Sequence, residues 1–266
     1  PAVLIGDGDR FTDDTVLTYA VAMGLLSGMG KIRREDLSPN PANGGEAAGD
    51  AVNAARGTLE REIALSVKKF ARAYPHAGYG GSFARWFSSD SLEPYNSWGN
   101  GSAMRVSFAG WYADSLAEAR LLANLSAKIT HNHPHGLKGA EVVAECIYRL
   151  RSGEGKEAIR QCAGRRYDMN FTLDAIRPTY GFDVSCEGSV PQAIMAFLEG
   201  GDFEDVIKLA ISIGGDSDTI AAIAGSLAEA FYEIPPDPRE RALAKLDRNL
   251  LETVQFVSAA LAGRRL

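Results

Sequence analysis

Between Val16 and Leu26 the apolar side chains fall on almost every face of the chain. Val16, Leu17, Tyr19, Ala20, Val21, Met23, Leu25 and Leu26 leave no polar stripe. A helix of that kind belongs inside a core rather than on its surface. Leu59 to Tyr74, Ser115 to Ile129, Leu137 to Leu150 and Phe203 to Ile213 place apolar residues at three- and four-residue intervals, the period of helices with one buried face. Thr219 to Phe231 puts Ile220, Ile223, Leu227 and Phe231 on one stripe. Ala221, Ala224, Gly225 and Ala228 there are small enough for a neighbouring helix to come close. Arg239 to Ala262 reads as one further helix. Runs that alternate every second residue are nearly absent, so the pattern predicts an all-α fold, a compact multi-helix bundle. There is no internal repeat, heptad array or low-complexity linker. Soft boundaries fall only at Ser38–Gly49 and Arg151–Gly155, and residues 1–266 read as one domain.

Composition narrows the function classes. The chain has 266 residues, 45% hydrophobic and 23% charged, enough to bury a sizeable core and unlike a disordered chain. A formal net charge of −6 argues against a generic binder of nucleic acid or acidic membranes. It leaves room for an anionic ligand if bound cations carry the positive charge. Cys146, Cys162 and Cys186 form no C-x-x-C pair, which fits a reducing compartment and no zinc cage. The apolar run at the N-terminus is too short for a signal peptide. The longest uncharged stretch, Thr15 to Gly30, falls short of the ~18 apolar residues of a membrane span. A soluble, cytoplasmic protein is expected.

Two segments carry more carboxylate than structure alone requires. Thr12-Asp13-Asp14-Thr15 and Gly214-Gly215-Asp216-Ser217-Asp218-Thr219 each open a predicted helix. Helix capping is the ordinary role of such residues, since acids in a first turn suit the helix dipole. Capping uses one or two backbone N–H groups and leaves carboxylate oxygens over. Residues two apart on a formed helix point to nearly opposite sides. Asp216 and Asp218 can share a target only if Asp216 lies in the turn that Gly214-Gly215 makes possible. Oxygen donors without His or Cys suit Mg²⁺, Mn²⁺ or Ca²⁺ rather than zinc. Four converging carboxylates would repel unless cations sat between them. Two divalent ions about 4 Å apart would match the donor count.

Other signals are weaker taken singly. Trp98-Gly99-Asn100-Gly101-Ser102-Ala103-Met104-Arg105 sits ahead of a helix, where it is either a tight turn or a phosphate cradle. Thr130-His131-Asn132-His133-Pro134-His135 gathers three of the four histidines, a polar loop or part of a ligand pocket. His76 reads as ordinary surface. Tyr180 to Gly188 mixes aromatics with glycine, either for packing or for stacking a flat ring.

Taken in order, Arg10-Phe11-Thr12-Asp13-Asp14-Thr15, Gly99 to Arg105, Thr130-His131 and Gly214 to Thr219 resemble the ADP-ribosylglycohydrolase family, which includes the dinitrogenase reductase-activating glycohydrolases and the jellyfish J1 crystallins. The resemblance runs from Arg10 to Pro235, and its motifs are specific jointly rather than one by one. It implies an all-α fold of a dozen or more helices and a binuclear Mg²⁺ or Mn²⁺ centre. By the same match Thr12, Asp13, Asp14, Asp216, Asp218 and Thr219 would be metal ligands, with Asp14, Asp216 and Asp218 in catalytic roles. Gly99, Asn100, Gly101 and Ser102 would line the ribose and diphosphate, the latter resting on loop amides. Met104, His131, Gly215 and Ser217 would also touch the ligand, and Tyr180 and Cys186 would flank adenine. The implied activity is metal-dependent hydrolysis of the N- or O-glycosidic bond between ADP-ribose and a protein side chain or small conjugate. An inactive crystallin-like or ADP-ribose-binding relative, or a di-metal nucleotide phosphohydrolase, are the alternatives. Two departures stand out. Family members carry a glycine-rich segment and helix ahead of the first T-D-D, and with eleven residues before Thr12 that segment is expected to be short or missing. Arginine-type hydrolases place an acid three positions before the loop asparagine, where this chain has Ser97, with Asp90 and Glu93 further off.

Overall fold

A computed structural model describes residues 4–38 and 46–262. Helix α1 (Asp13–Met29) is the core helix its apolar pattern predicts, with Val16, Ala20, Val21 and Leu25 sealed from solvent. It lies against α2 (Glu46–Ala73), and the contact is backbone-close. A Cβ on Gly24 would stand 2.6 Å from the Ile63 Cα, so only glycine lets these two helices meet there. Helix α2 begins well before the predicted Leu59. Its first turns hold alanines but Val52 as the one large apolar residue before Leu59, and so little periodic signal.

An aromatic helix, α3 (Gly81–Ser88), follows, its Phe83, Trp86 and Phe87 packed with Tyr79. Short helices α4 (Gly101–Met104) and α5 (Ser107–Tyr112) lead into α6 (Leu116–Lys128) and α7 (Pro134–Arg151), a packed pair. The Ser115 hydroxyl accepts from the Glu118 amide to start α6, and Pro134 occupies the first turn of α7, where its missing N–H costs nothing. Arg151 ends α7, and the turn before α8 (Lys156–Gly164) crosses the boundary expected at Arg151–Gly155. Residues 39–45 of the other expected boundary lie outside the described residues, and Glu46 to Gly49 already belong to α2.

The remaining helices are α9 (Leu173–Ile176), α10 (Cys186–Glu199), α11 (Phe203–Ser212), α12 (Ser217–Glu229), α13 (Pro236–Ala244) and α14 (Arg248–Leu261). The last two correct the reading of Arg239 to Ala262 as one helix. The chain turns at Lys245 and Leu246, and Asp247 caps α14 by accepting from the Leu250 amide at 2.9 Å. Helix α10 escapes a periodicity search because Val190, Ala193, Ile194, Met195, Ala196 and Phe197 are all buried and Pro191 interrupts its backbone bonding. The fold is all-α. Among the described residues the sole strand-like feature is an isolated antiparallel bridge between Gly99 and Ser185. No described helix is long and apolar enough to cross a membrane.

Candidate active site

The two acidic segments meet at the starts of α1 and α12. Thr12 precedes α1, and its hydroxyl donates to Asp14 Oδ2 at 2.8 Å. The Thr219 hydroxyl, from the first turn of α12, donates to Asp14 Oδ1 at 3.0 Å. Asp14 is thus gripped from both helices while 6% exposed. Gly214 and Gly215, with φ of +75° and +71°, make the turn that leaves Asp216 ahead of α12 and Asp218 within it. Asp216 Oδ2 accepts from Asn100 Nδ2 at 2.7 Å, and that amide also donates to the Ser189 hydroxyl at 2.9 Å. The loop asparagine therefore orients one of the carboxylates.

The electrostatics of this meeting are unfavourable for carboxylates alone. Burial, with Asp14 and Asp218 nearby, pushes the Asp13 carboxyl up to about 7. Burial and Asp218 push Asp14 up to about 6 against the two threonine bonds, and burial also raises Asp216. Among the described residues no three His, Cys, Asp or Glu side chains stand in an arrangement that could hold a metal ion. The donor chemistry still suits a hard divalent cation: oxygen atoms only, with crowded carboxylates, Asp14 buried and the others partly exposed, whose repulsion a cation would offset.

Beside the carboxylates lies a cavity of about 530 Å³. Asp13, Asp216, Asp218 and Thr219 form one wall, Gly99, Asn100, Gly101 and Met104 another, with His131 between Gly99 and Gly101. Asp14 lies at the edge of a second cavity of about 450 Å³, on the other side of Met104. The remaining expected site residues sit behind the lining. The Ser102 hydroxyl is fully buried and donates to the Gly136 carbonyl at 2.7 Å. The Cys186 thiol, also fully buried, donates to the Gly99 carbonyl at 3.1 Å from beneath the loop. Tyr180 donates to the Gly188 carbonyl at 2.7 Å and its ring packs on Gly215. Ser217 opens α12 outside the lining.

Two loop amides expected to be available for phosphate are in use. The Gly99 amide donates to Ser97 Oγ at 3.1 Å and the Asn100 amide to the Val184 carbonyl at 2.8 Å. The Asn100 bond ties the glycine loop to the segment before α10. Val184, Phe182 at 77% exposure and Trp98 at 51% line the cavity beside it, the first two within the Tyr180 to Gly188 stretch read as packing or a stacking surface. Tyr95, Asn96, Arg105 and the Gly78–Phe83 segment also line the cavity. The glycine cluster at Gly78–Gly81 and the arginine ending the loop motif were visible signals. Within the aromatic stretch it is Phe182, rather than Tyr180, that lines the cavity.

Paired carboxylates at two helix starts thus face a cavity rimmed by a glycine loop and exposed aromatics, the concave mixed polar and apolar shape of a small-molecule site. The family model for ADP-ribosylglycohydrolase matches residues 4–265, and the chain belongs to that family. It is 26% identical over 234 residues to ADP-ribosylhydrolase ARH3 of Homo sapiens, covering 64% of each chain. It is 30% identical over 174 residues to the ADP-ribosyl dinitrogen reductase glycohydrolase of Rhodospirillum rubrum, covering 62% of this chain and 57% of that protein. The matched stretches thus span less than two thirds of these relatives. A solved structure titled ADP-ribosylglycohydrolase-related protein complex superposes with a TM-score of 0.58 at 22% identity, covering 96% of this chain and 98% of the other, a likeness of fold.

Proposed function

We propose that the chain hydrolyses the glycosidic bond between ADP-ribose and a protein side chain or small conjugate, with two divalent cations, Mg²⁺ or Mn²⁺. The observation that carries this reading is the convergence of Asp13, Asp216 and Asp218 on one wall of a cavity whose mouth exposes Phe182 and Trp98. Thr12, Asp13, Asp14, Asp216, Asp218 and Thr219 would hold the cations. When bound, these supply Lewis-acid charge that offsets the carboxylates and acidifies water. The chain's own residues do the rest. Cleavage at the anomeric carbon develops oxocarbenium-like positive charge, which the carboxylate wall stabilises. Asp216, held by Asn100, and Asp218 orient the attacking water and take up its proton. The aromatic mouth stacks the base, and the amide of Gly101 faces the diphosphate while Gly99 and Asn100 shape the loop.

The lining also bears on the leaving group. Among the described residues that line the cavity, the carboxylates are Asp13, Asp216 and Asp218. Where an arginine-type hydrolase is expected to carry an acid, Ser97 lines the wall, with its Oγ turned to the Gly99 amide. Among the described lining residues no separate carboxylate remains to pair a guanidinium, which favours an O-linked conjugate such as ADP-ribosylserine as the substrate class. Release of free ADP-ribose from serine-linked and arginine-linked ADP-ribosylated proteins, each with Mg²⁺, with Mn²⁺ and with EDTA, tests this. Metal-dependent release from the serine linkage is expected. Phosphate release in its place would identify a di-metal phosphohydrolase, and no turnover alongside tight ADP-ribose binding would identify a non-catalytic relative. Asp218→Asn should lower turnover at least ~10²-fold with Tm unchanged within a few degrees; retained activity would remove Asp218 from the site.

A further inference from the structure

Behind the glycine loop a buried chain of polar groups runs toward the cavity. Arg105 is 0% exposed at the end of α4, a full positive charge inside the protein. Its Nη2 donates to the Thr130 hydroxyl oxygen at 2.7 Å and, at a long 3.4 Å, to the Ser126 carbonyl. Nε and Nη1 are buried and have no partner among the described residues. Thr130 therefore carries the one short bond that holds this guanidinium. Thr130 is itself fully buried, and its oxygen lies 2.7 Å from His131 Nδ1.

The position of the proton on His131 follows from counting donors. A hydroxyl has one hydrogen to give and two lone pairs. The Thr130 oxygen already accepts from a cation, and no acceptor other than His131 Nδ1 is in reach of its hydrogen among the described residues. A buried hydroxyl left without an acceptor is penalised, because its desolvation goes uncompensated. A proton on Nδ1 would bring that penalty and aim a second donor at an oxygen beside a cation. A bare Nδ1 avoids both, and the ring proton sits on Nε2. That atom stands 3.2 Å from where a Gly101 Cβ would be and 3.6 Å from where a Gly99 Cβ would be. No described residue accepts from it. Burial and the Arg105 charge both oppose a second proton on the ring.

We propose that Arg105 and Thr130 are positioning residues that fix His131 as a standing Nε2–H donor to a diphosphate oxygen of the ligand lying over Gly99–Gly101. This rests on the ADP-ribose reading above. The donors run in one direction, from the guanidinium to the Thr130 hydroxyl, to the imidazole, to the cavity. Aligned bonds polarise one another, so a cation at the far end strengthens the last donor for an anion. The arrangement brings the field of a buried arginine to the ligand in a chain of net charge −6.

The test uses the whole chain labelled with ¹⁵N-histidine. In the ligand-free protein, His131 should show a protonated Nε2 and an unprotonated Nδ1. Thr130→Val should mix the two forms and weaken ADP-ribose binding roughly tenfold, while changing adenosine binding less than twofold. Thr130→Ser should restore both the spectrum and the affinity. A proton on Nδ1 in the wild type, or unchanged ADP-ribose affinity in a folded Thr130→Val, overturns the proposal. Equal losses for ADP-ribose and adenosine overturn the diphosphate assignment. Should Thr130→Val not fold, the wild-type spectrum and Thr130→Ser still decide, because a lost Nε2–H form in either one is disqualifying. An Nε2–H ring in a chain that binds no ADP-ribose would instead overturn the functional reading and the ligand named here, leaving the tautomer assignment standing.

Discussion

Gly215 shows how much of the site rests on single positions. Its φ of +71° is one that side chains rarely adopt, and a Cβ there would lie 2.5 Å from Cε1 of the Tyr180 ring. Gly215→Ala should therefore cost about 2–3 kcal/mol through backbone strain and overpacking together, read as a lowered midpoint in urea unfolding. Because Asp216 follows directly, turnover should fall further than stability explains. Phe182 should behave in the opposite way. At 77% exposure it contributes little to the fold, so Phe182→Ala should leave Tm unchanged and weaken ADP-ribose binding by about 1–2 kcal/mol, the worth of one stacked base, as titration calorimetry would register. Residues like Asp13, Asp14, Asp216 and Asp218 were legible in sequence because a helix start gathers its acids within a few positions. Phe182 and Arg105 lay within segments already singled out, but Tyr95 did not, because it reaches the cavity from another part of the chain through contacts that no local pattern encodes.

Helices announce themselves when one face is buried and another is wet. Helices α6, α7, α11 and α12 meet that condition, and the predicted spans lie within a few residues of the observed ones. Helix α1 was found by the reverse signal, apolar residues all round. Helix α10 shares that all-round burial but carries Gly188 and Pro191 in its first turns, so its sequence looks broken where the backbone continues. The tail errs the other way, since the periodic run through Leu243, Leu246 and Leu250 spans a real break. That break is held by Asp247, which accepts from the Leu250 amide at 2.9 Å and from the Tyr74 hydroxyl at 3.0 Å, joining α14 to the end of α2. Asp247→Ala removes both bonds from an exposed position and should cost about 1–2 kcal/mol. In a protein of this size that is a Tm lower by about 2–8 °C. A change below 1 °C in a calorimetric scan would mean the cap does not hold the turn.

On the scale of the molecule, the carboxylate cluster sets stability against function, and pH exposes the conflict. Asp13 and Asp14 titrate near 7 and 6 in the folded chain because burial and neighbouring carboxylates oppose ionisation, and from about 3.8 when exposed. Below about pH 4 both states hold these protons and the cluster has no cost. As pH rises through 7 the unfolded chain has released them and the folded chain gives them up only against repulsion, so stability falls across that window. The oppositely shifted acids act elsewhere. Glu145, where hydrogen bonds from Arg120 and Arg149 outweigh burial, lies at about 2, and Glu62, bonded to Lys31 and Ser27, lies below its ordinary value. Both lose their contributions only as pH falls toward and below the usual carboxylate range. Between pH 4.5 and 7.5 in chelator, wild-type stability should therefore decline more steeply than that of Asp13→Asn. The variant should be the more stable at pH 7.5 by on the order of 1–3 kcal/mol, after allowance for the partial exposure of Asp13. Adding Mn²⁺ should reverse the order, since the wild-type carboxylates gain a counter-charge that the amide cannot hold as well. Parallel pH curves for the two proteins would mean that the cluster is relaxed as an apo site and that a cation has no strain to relieve there.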